Sequence, residues 1–437
     1  MLRKILAVTL CLVLTVLLCG CNLINTDTDE FLSAPSLPSE LKPIAQIIEN
    51  SADGNYMLKY PSRGEYRSAV ISYDINNDAR DEYFAFYYTS DAENGYMNIN
   101  AIVKNGDKWK SVATQKIVAG GIDKVEFCDV NNDGKKEILV GWQVYGTSEM
   151  QLAVYSLTDD SLTQIMLQRY THFVTCDLNS DKTNEILVLA TDSIEAVNFA
   201  SLYSFNKDRV LEVTSCPLDS TSKTFEEPIV SVLSTGQPAV YIEEIKGVGA
   251  VTEVLLVENS TLKNPLYSQS FKETFATLRS VALSIRDINN DGVLEIPIQE
   301  NVPSVAVGSA NELLYLTSWC TFDGEALTVQ QTSMVNINDG YSFIVPVGLI
   351  GKIAILKDTD GHERSIFTYN NKDLSVGERL ITFKSFSLKD WDEEKTNTEF
   401  VEIMRTDSAV HTCSITKAGQ SKGLTAEQIK ENFSLYE

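Results

Sequence analysis

The chain has 437 residues, 43% of them hydrophobic, and a formal net charge of −24 from 60 acidic and 36 basic side chains. That apolar content is ample for a buried core, and the length predicts two domains rather than one. The acidic excess argues against nucleic acid or an anionic membrane surface as a partner.

Arg3 and Lys4 precede an apolar run from Ile5 to Leu18. The run is shorter than the roughly 20 residues a membrane helix needs, and it reads as a signal peptide over residues 1–20. It ends Leu18-Cys-Gly-Cys21, which resembles a bacterial lipobox. The resemblance implies that Cys21 carries the lipid and becomes the mature N-terminus, tethering the protein to the outer face of the cytoplasmic membrane. Residues 21–55 then begin polar, with Pro35, Pro38 and Pro43, as a flexible tether should. A helical turn or more is expected over 44–50.

Four near-identical stretches follow: Asp74-Ile-Asn-Asn-Asp-Ala-Arg-Asp-Glu82, Asp129-Val-Asn-Asn-Asp-Gly-Lys-Lys-Glu137, Asp177-Leu-Asn-Ser-Asp-Lys-Thr-Asn-Glu185 and Asp287-Ile-Asn-Asn-Asp-Gly-Val-Leu-Glu295. Each places side-chain oxygens at positions 1, 3, 5 and 9. These are Asp74, Asn76, Asp78 and Glu82; Asp129, Asn131, Asp133 and Glu137; Asp177, Asn179, Asp181 and Glu185; and Asp287, Asn289, Asp291 and Glu295. Position 7 varies (Arg80, Lys135, Thr183, Val293), so it can offer only its backbone carbonyl. Calcium takes 6–8 oxygens, and a tight loop of alternate acids supplies most of them. Three carboxylates in so short a loop repel one another without a cation. An EF-hand needs glutamate at position 12 and flanking helices, whereas strand-like runs follow position 9 here. The expected cofactor is therefore Ca2+, up to four ions. Gly134 and Gly292 stand at position 6 where Ala79 and Lys182 stand in the other two loops, which predicts weaker sites in those two.

The opening aspartates lie 55, 48 and 110 residues apart (129 − 74, 177 − 129, 287 − 177). The last gap is twice the first, so a degenerate unit without ligands is expected near residue 232, in Val230–Ile242. About thirty residues after each unit's loop position comes a polar turn: Asn105-Gly106, Asp159-Asp160, Asn206-Lys207, Asn259-Ser260 and Asp323-Gly324. Each unit thus reads as strand, loop, strand, hairpin. Four short strands per 40–50 residues is a propeller-blade period. The expected fold is mainly β, a β-propeller of five to seven four-stranded blades over residues 56–335. The D-x-N-x-D-G-x-x-E pattern resembles the FG-GAP/VCBS repeats of integrin-α-like propellers. That family implies calcium bound between two strands of a blade through positions 1, 3, 5, 7 and 9. Past 335 the register is lost. Residues 336–437 read as a small α+β domain, or as further blades, with strands near 340–356, 365–369, 379–387, 399–404 and 408–415. A helix is expected over 424–435, opened by a Thr425/Gln428 capping pattern.

Five cysteines remain outside the leader and Cys21, and none forms a CxxC pair, so they read as structural thiols. Three histidines and no nucleophile, metalloprotease or phosphate-loop motif leave no catalytic residue to name. The expected function is a monomeric, calcium-stabilised binding or scaffolding module for a cell-surface glycan or protein. The alternative is a calcium-dependent polysaccharide lyase or hydrolase.

Overall fold

A computed structural model describes residues 38–436 apart from 91–94, 107, 159–160, 193–194, 196, 304–313 and 358–361. The leader, Cys21, residues 22–37 of the tether and the Asp159-Asp160 turn lie outside the described residues. The chain divides into two compact units. One comprises the described residues up to Phe127 together with Lys135–Leu167. The other comprises Cys128–Gly134 together with the described residues from Gln168 onward.

The described chain opens with a helix, Lys42–Ser51, with Pro43 in its first turn. Proline suits that turn because the first N–H groups of a helix have no partner within it. Ile44 and Ile48, one turn apart, are buried against Val70, Ala85, Tyr87 and Ile102.

The fold is mainly β and built of β-propeller blades, each an antiparallel meander. The first blade contains Met57–Leu58, Val70–Tyr73, Glu82–Ser90, Gly95–Asn105 and Lys108–Ile117. The second contains Ala119–Cys128, Glu137–Val144, Met150–Leu157 and Leu162–Tyr170, and the third His172–Cys176, Glu185–Asp192, Val197–Asn206 and Arg209–Pro217. In the fourth, Thr224–Phe225 and Ile229–Val232 both pair with Pro238–Lys246, and Gly249–Glu258 and Thr261–Lys263 follow. The fifth holds Ile296–Val302, Leu314–Phe322, Leu327–Asn336, Tyr341–Ile344 and, last in the chain, Phe433–Leu435.

The expected degenerate unit is the fourth blade, with a turn at Leu233–Gln237 where the acidic loop stands elsewhere. There the Leu233 N–H donates to the Gln237 carbonyl (2.8 Å). The hairpin at Asn259-Ser260 has both residues at positive φ (51° and 60°), the backbone a two-residue connection requires.

Alternate residues of a strand face opposite sides of its sheet. In Pro238–Lys246, Val240 and Ile242 join Leu187, Leu189, Leu202 and Leu255 in one core layer, while Ala239 and Tyr241 join Val254, Ile285, Ile296 and Phe322 in the next. Burial on both faces explains why such strands read as unbroken apolar runs rather than as alternating ones. Within the first unit, Phe84, Phe86, Ile99, Ile138, Val140 and Trp142 form the layer between the first two blades.

Packing is continuous across residues 335/336. Tyr341–Ile344 pairs with Leu327–Asn336, and Phe433–Leu435 pairs with Tyr341–Ile344. A sixth sheet follows, in the order Ile353–Lys357, Glu363–Asn370, Ser375–Ser387, Ala409–Ile415, Val401–Arg405. Its last two strands are out of chain order, and the helix Leu388–Glu394 lies between Ser375–Ser387 and Val401–Arg405 in the chain. The C-terminal helix is shorter than expected. It runs Ala426–Glu431, capped by the Thr425 hydroxyl accepting from Gln428 N–H (3.2 Å), and the chain then turns into strand. Phe433 stacks on Tyr341 (4.9 Å between centroids), which strand geometry allows and a continued helix would not place there.

Candidate metal centres

In the first three blades the acidic loop joins two neighbouring antiparallel strands, and in the fifth it leads into Ile296–Val302 and is closed by a single bridge. The residue before position 1 pairs with the glutamate at position 9: Tyr73 with Glu82, Cys176 with Glu185, and Arg286 with Glu295. Glu82, Glu137 and Glu185 therefore open the strand after the loop, and Glu295 immediately precedes one. All four glutamates are buried, at 6% exposure for Glu82, 1% for Glu137 and Glu185, and 0% for Glu295.

The loops share one backbone. Position 4 has positive φ in all four (Asn77 58°, Asn132 57°, Ser180 63°, Asn290 60°), and so has position 6 (Ala79 65°, Gly134 86°, Lys182 74°, Gly292 87°). Left-handed backbone at two alternate residues curls the chain around the side chains of positions 1, 3 and 5. Only glycine adopts it without steric strain, so Ala79 and Lys182 are strained.

The side chains follow the same plan. In the third loop the Asp181 N–H donates to Asp177 Oδ1 (3.0 Å) and Asn179 Oδ1 (2.8 Å), Lys182 N–H to Asp177 Oδ2 (2.9 Å), and Thr183 N–H to Asp181 Oδ1 (2.8 Å). The first and fourth loops repeat these bonds through Asp74, Asn76 and Asp78 and through Asp287, Asn289 and Asp291. In the second, Gly134 N–H donates to Asp129 Oδ2 (2.9 Å) and Asp133 N–H to Asn131 Oδ1 (2.9 Å). Position 9 accepts the position 2 N–H: Ile75 to Glu82 (3.1 Å), Leu178 to Glu185 (3.0 Å) and Ile288 to Glu295 (2.9 Å).

These bonds orient the oxygens and leave lone pairs directed inward. Carboxylate oxygens of Asp177, Asp181 and Glu185 lie within 4.8 Å of one another. The Asn179 amide bridges two of them, donating to Asp181 Oδ2 (3.1 Å) and Glu185 Oε1 (2.5 Å). Among the described residues, this convergence of acids is in a loop without glycine, although the glycines rank the second and fourth loops higher. Elsewhere Glu295 Oε1 and Asp129 Oδ1 are buried without a hydrogen-bond partner. A buried acceptor left unmet is unfavourable by about 1–3 kcal/mol, more if charged. Burial, and then the charges of the loop aspartates, raise the Glu82 and Glu295 carboxyls above their ordinary range and push Glu185 up to about 7. A divalent cation among these oxygens would reverse that balance. The donor set fits a hard, oxygen-preferring ion and contains no sulfur or imidazole.

Consecutive loops are also tied together. The position 8 residue of one bonds the start of the loop before it: Lys136 N–H to the Ile75 carbonyl (2.8 Å), and Asn184 Nδ2 to the Asp129 carbonyl (3.2 Å).

Other residues singled out in the sequence are structural. Trp142, Trp319 and Trp391 are buried, and only Trp109 is half-exposed. Cys176, Cys216, Cys320 and Cys413 are buried free thiols, and Cys128 is half-buried. His411 is buried beside Tyr341 and Phe433, and burial lowers its pKa. Sequence reading missed a group of buried charges in the fourth blade. Glu243, Glu244, Glu253 and Asp219 are all under 9% exposed, and so is Arg279. Their signal was charge inside apolar strands, as in Val240-Tyr-Ile-Glu-Glu-Ile245.

No protein-family model matches the chain, and no curated protein matches it. Among solved structures it is similar to the rhamnogalacturonan lyase YesW, at 12% identity over 74% of this chain and 69% of that one, with a TM-score of 0.35. A Bacillus licheniformis rhamnogalacturonan lyase matches at 12% identity over 63% and 70%, with a TM-score of 0.31. The Dos1 propeller matches at 9% identity over 70% and 65%, with a TM-score of 0.27. Likeness at this level is one of outline and carries no argument about the site.

Proposed function

We propose that the chain is a calcium-stabilised β-propeller module, anchored through a lipid on Cys21 at the outer face of the cytoplasmic membrane, that binds a cell-surface glycan or protein without catalysis. The observation that carries the reading is the common loop geometry. Four loops curl through the same two left-handed residues over a buried glutamate, and in three of them, at Glu82, Glu185 and Glu295, burial and neighbouring aspartates make that glutamate costly to ionise. Positions 1, 3, 5 and 9 would supply side-chain oxygens to the ion, and Arg80, Lys135, Thr183 and Val293 their carbonyls. Calcium would neutralise up to 8 of the chain's excess negative charges, two per loop, and so stiffen the entry to the strand that follows each loop. This role is structural. It leaves the remaining surface as the part that meets a ligand, and the fold alone does not name that ligand.

The test is a binding screen of residues 22–437 against glycans, peptidoglycan and surface proteins, in calcium and in EGTA. Calcium-dependent capture without turnover supports the reading. Depolymerisation of any polysaccharide, lost on changing one carboxylate outside the four loops, overturns it in favour of the lyase or hydrolase alternative.

A further inference from the structure

The fourth blade lacks an acidic loop, yet it contains a deeper set of acids. On Pro238–Lys246 and Gly249–Glu258, Glu244 pairs in register with Val251, and Glu253 with Ile242. Glu244 and Glu253 are therefore diagonal neighbours on the same face of the sheet, the face that buries Val240, Ile242 and Leu255 against the third blade. Both are 0% exposed.

Their surroundings differ. Glu253 is well supplied with donors: its Oε2 accepts from Asp219 N–H (3.1 Å), and its Oε1 from Asn264 Nδ2 (2.7 Å) and Thr274 Oγ1 (2.7 Å). Both Glu244 oxygens are buried without a well-formed hydrogen bond, and the neighbouring Ser222 hydroxyl offsets that burial only in part. The side chains facing it are Glu253 and Ser222, with Asp219 beyond. The nearby cation is already engaged, since Lys246 Nζ lies 2.7 Å from Asp219 Oδ2 and 3.5 Å from Glu273. Although burial opposes it, that ammonium and the donors of Thr221 and Thr274 hold Asp219 ionised. The remaining titratable groups around the pair are Tyr267 and Cys216, both raised by burial and then by the charge of Glu253. Among the described residues no cation compensates a charge on Glu244, and the Ser222 hydroxyl favours one only weakly against the burial. A carboxylate without a counter-charge in so dry a place neutralises instead. A protonated Glu244 becomes a donor, and Glu253, which keeps free lone pairs, is the acceptor within reach.

We infer that Glu244 and Glu253 form a buried carboxyl–carboxylate pair that binds one proton at neutral pH and holds the seam between the third and fourth blades. The proton does in this blade what a cation would do in a loop. Burial, and then the charge of Glu253, push the Glu244 carboxyl far above the ordinary glutamate range. The folded state then binds a proton that the unfolded chain releases. This contribution to stability is complete below the ordinary glutamate range and is lost as pH rises toward the elevated folded value.

The experiment compares the full soluble chain, residues 22–437, with Glu244→Gln and Glu244→Ala, all in the same calcium buffer from pH 5 to pH 10. Subtracting the wild-type curve from that of Glu244→Gln cancels every other titrating group. Gln mimics the protonated acid, so the folding constant of the wild type should fall relative to this variant by about tenfold per pH unit above the glutamate range. Ala should lose stability at every pH. A wild-type infrared spectrum at pH 7 should also show a protonated-carboxyl C=O stretch that Glu244→Gln removes, a readout that does not depend on the variant's stability. A difference curve flat in pH, or no such band in the wild type, overturns the inference. So does a divalent cation that binds at this pair when Asp74, Asp129, Asp177 and Asp287 are all replaced.

Discussion

Exchanging the residues at loop position 6 separates the backbone of the loops from their metal chemistry. All four position 6 residues are left-handed, but only Gly134 and Gly292 are glycines. For any other residue that conformation is unfavourable by about 1–2 kcal/mol. A Cβ added at Gly134 or Gly292 meets nothing within 4 Å, so Gly→Ala there should cost that conformational term less the roughly 0.4–1 kcal/mol by which alanine restricts the unfolded chain, a net loss of about 0.5–1 kcal/mol. The reverse change, Lys182→Gly or Ala79→Gly, removes the strain but gives the unfolded chain more freedom. The freedom is worth roughly 0.4–1 kcal/mol, so the net gain should be about 0.5–1 kcal/mol. Denaturant unfolding in EGTA reads the backbone term alone. There Gly292→Ala should destabilise and Lys182→Gly stabilise. If Lys182→Gly destabilises as much as Gly292→Ala, the shared left-handed geometry is not what limits these loops, and the argument fails.

Three further outcomes are expected. Arg279 is fully buried, ion-paired to Glu243, and bonded to the Leu283 carbonyl (2.7 Å) and Thr252 Oγ1 (2.9 Å). Arg279→Ala should cost about 3–5 kcal/mol by stranding Glu243, while the double change Arg279→Met with Glu243→Leu should restore most of it, as chemical unfolding would report. Thr425→Ala removes the cap of Ala426–Glu431 and should cost about 1 kcal/mol, seen as faster amide exchange in Ala426–Leu435 than in the rest of the protein. Cys21→Ser should release the protein into the medium or leave it unprocessed with its body folded; normal processing and membrane retention would contradict the proposed anchor.

Much of this architecture was legible because it repeats. Spacing alone located the ligand-free unit, and the structure places strands at Ile229–Val232 and Pro238–Lys246, on either side of the turn that replaces the acidic loop. Position 2 is apolar in all four loops; Ile75, Val130 and Leu178 are buried there, whereas Ile288 is only half-buried. Two features escaped for physical reasons. Phe433–Leu435 continues an amphipathic helical pattern, and only a distant partner, Tyr341–Ile344, converts it to strand. Glu244 and Glu253 look like solvent-facing residues of an alternating strand; that both faces of this strand are covered is a property of the stacked blades. The glycine ranking also missed the gathering of Asp177, Asp181 and Glu185, because side-chain convergence depends on the strand pair beneath the loop as well as on the ease of its turn.

The central claim is that these loops are calcium sites, and a titration of chelator-stripped residues 22–437 with calcium, read by calorimetry and by bound-metal analysis, tests it most directly. Saturable binding of up to four ions is predicted, with one lost in Asp287→Ala. Each site should add about 2.7 kcal/mol to stability at a hundredfold excess over its Kd. No bound calcium at millimolar concentration, with the same melting curve in calcium and in EGTA, would contradict the account.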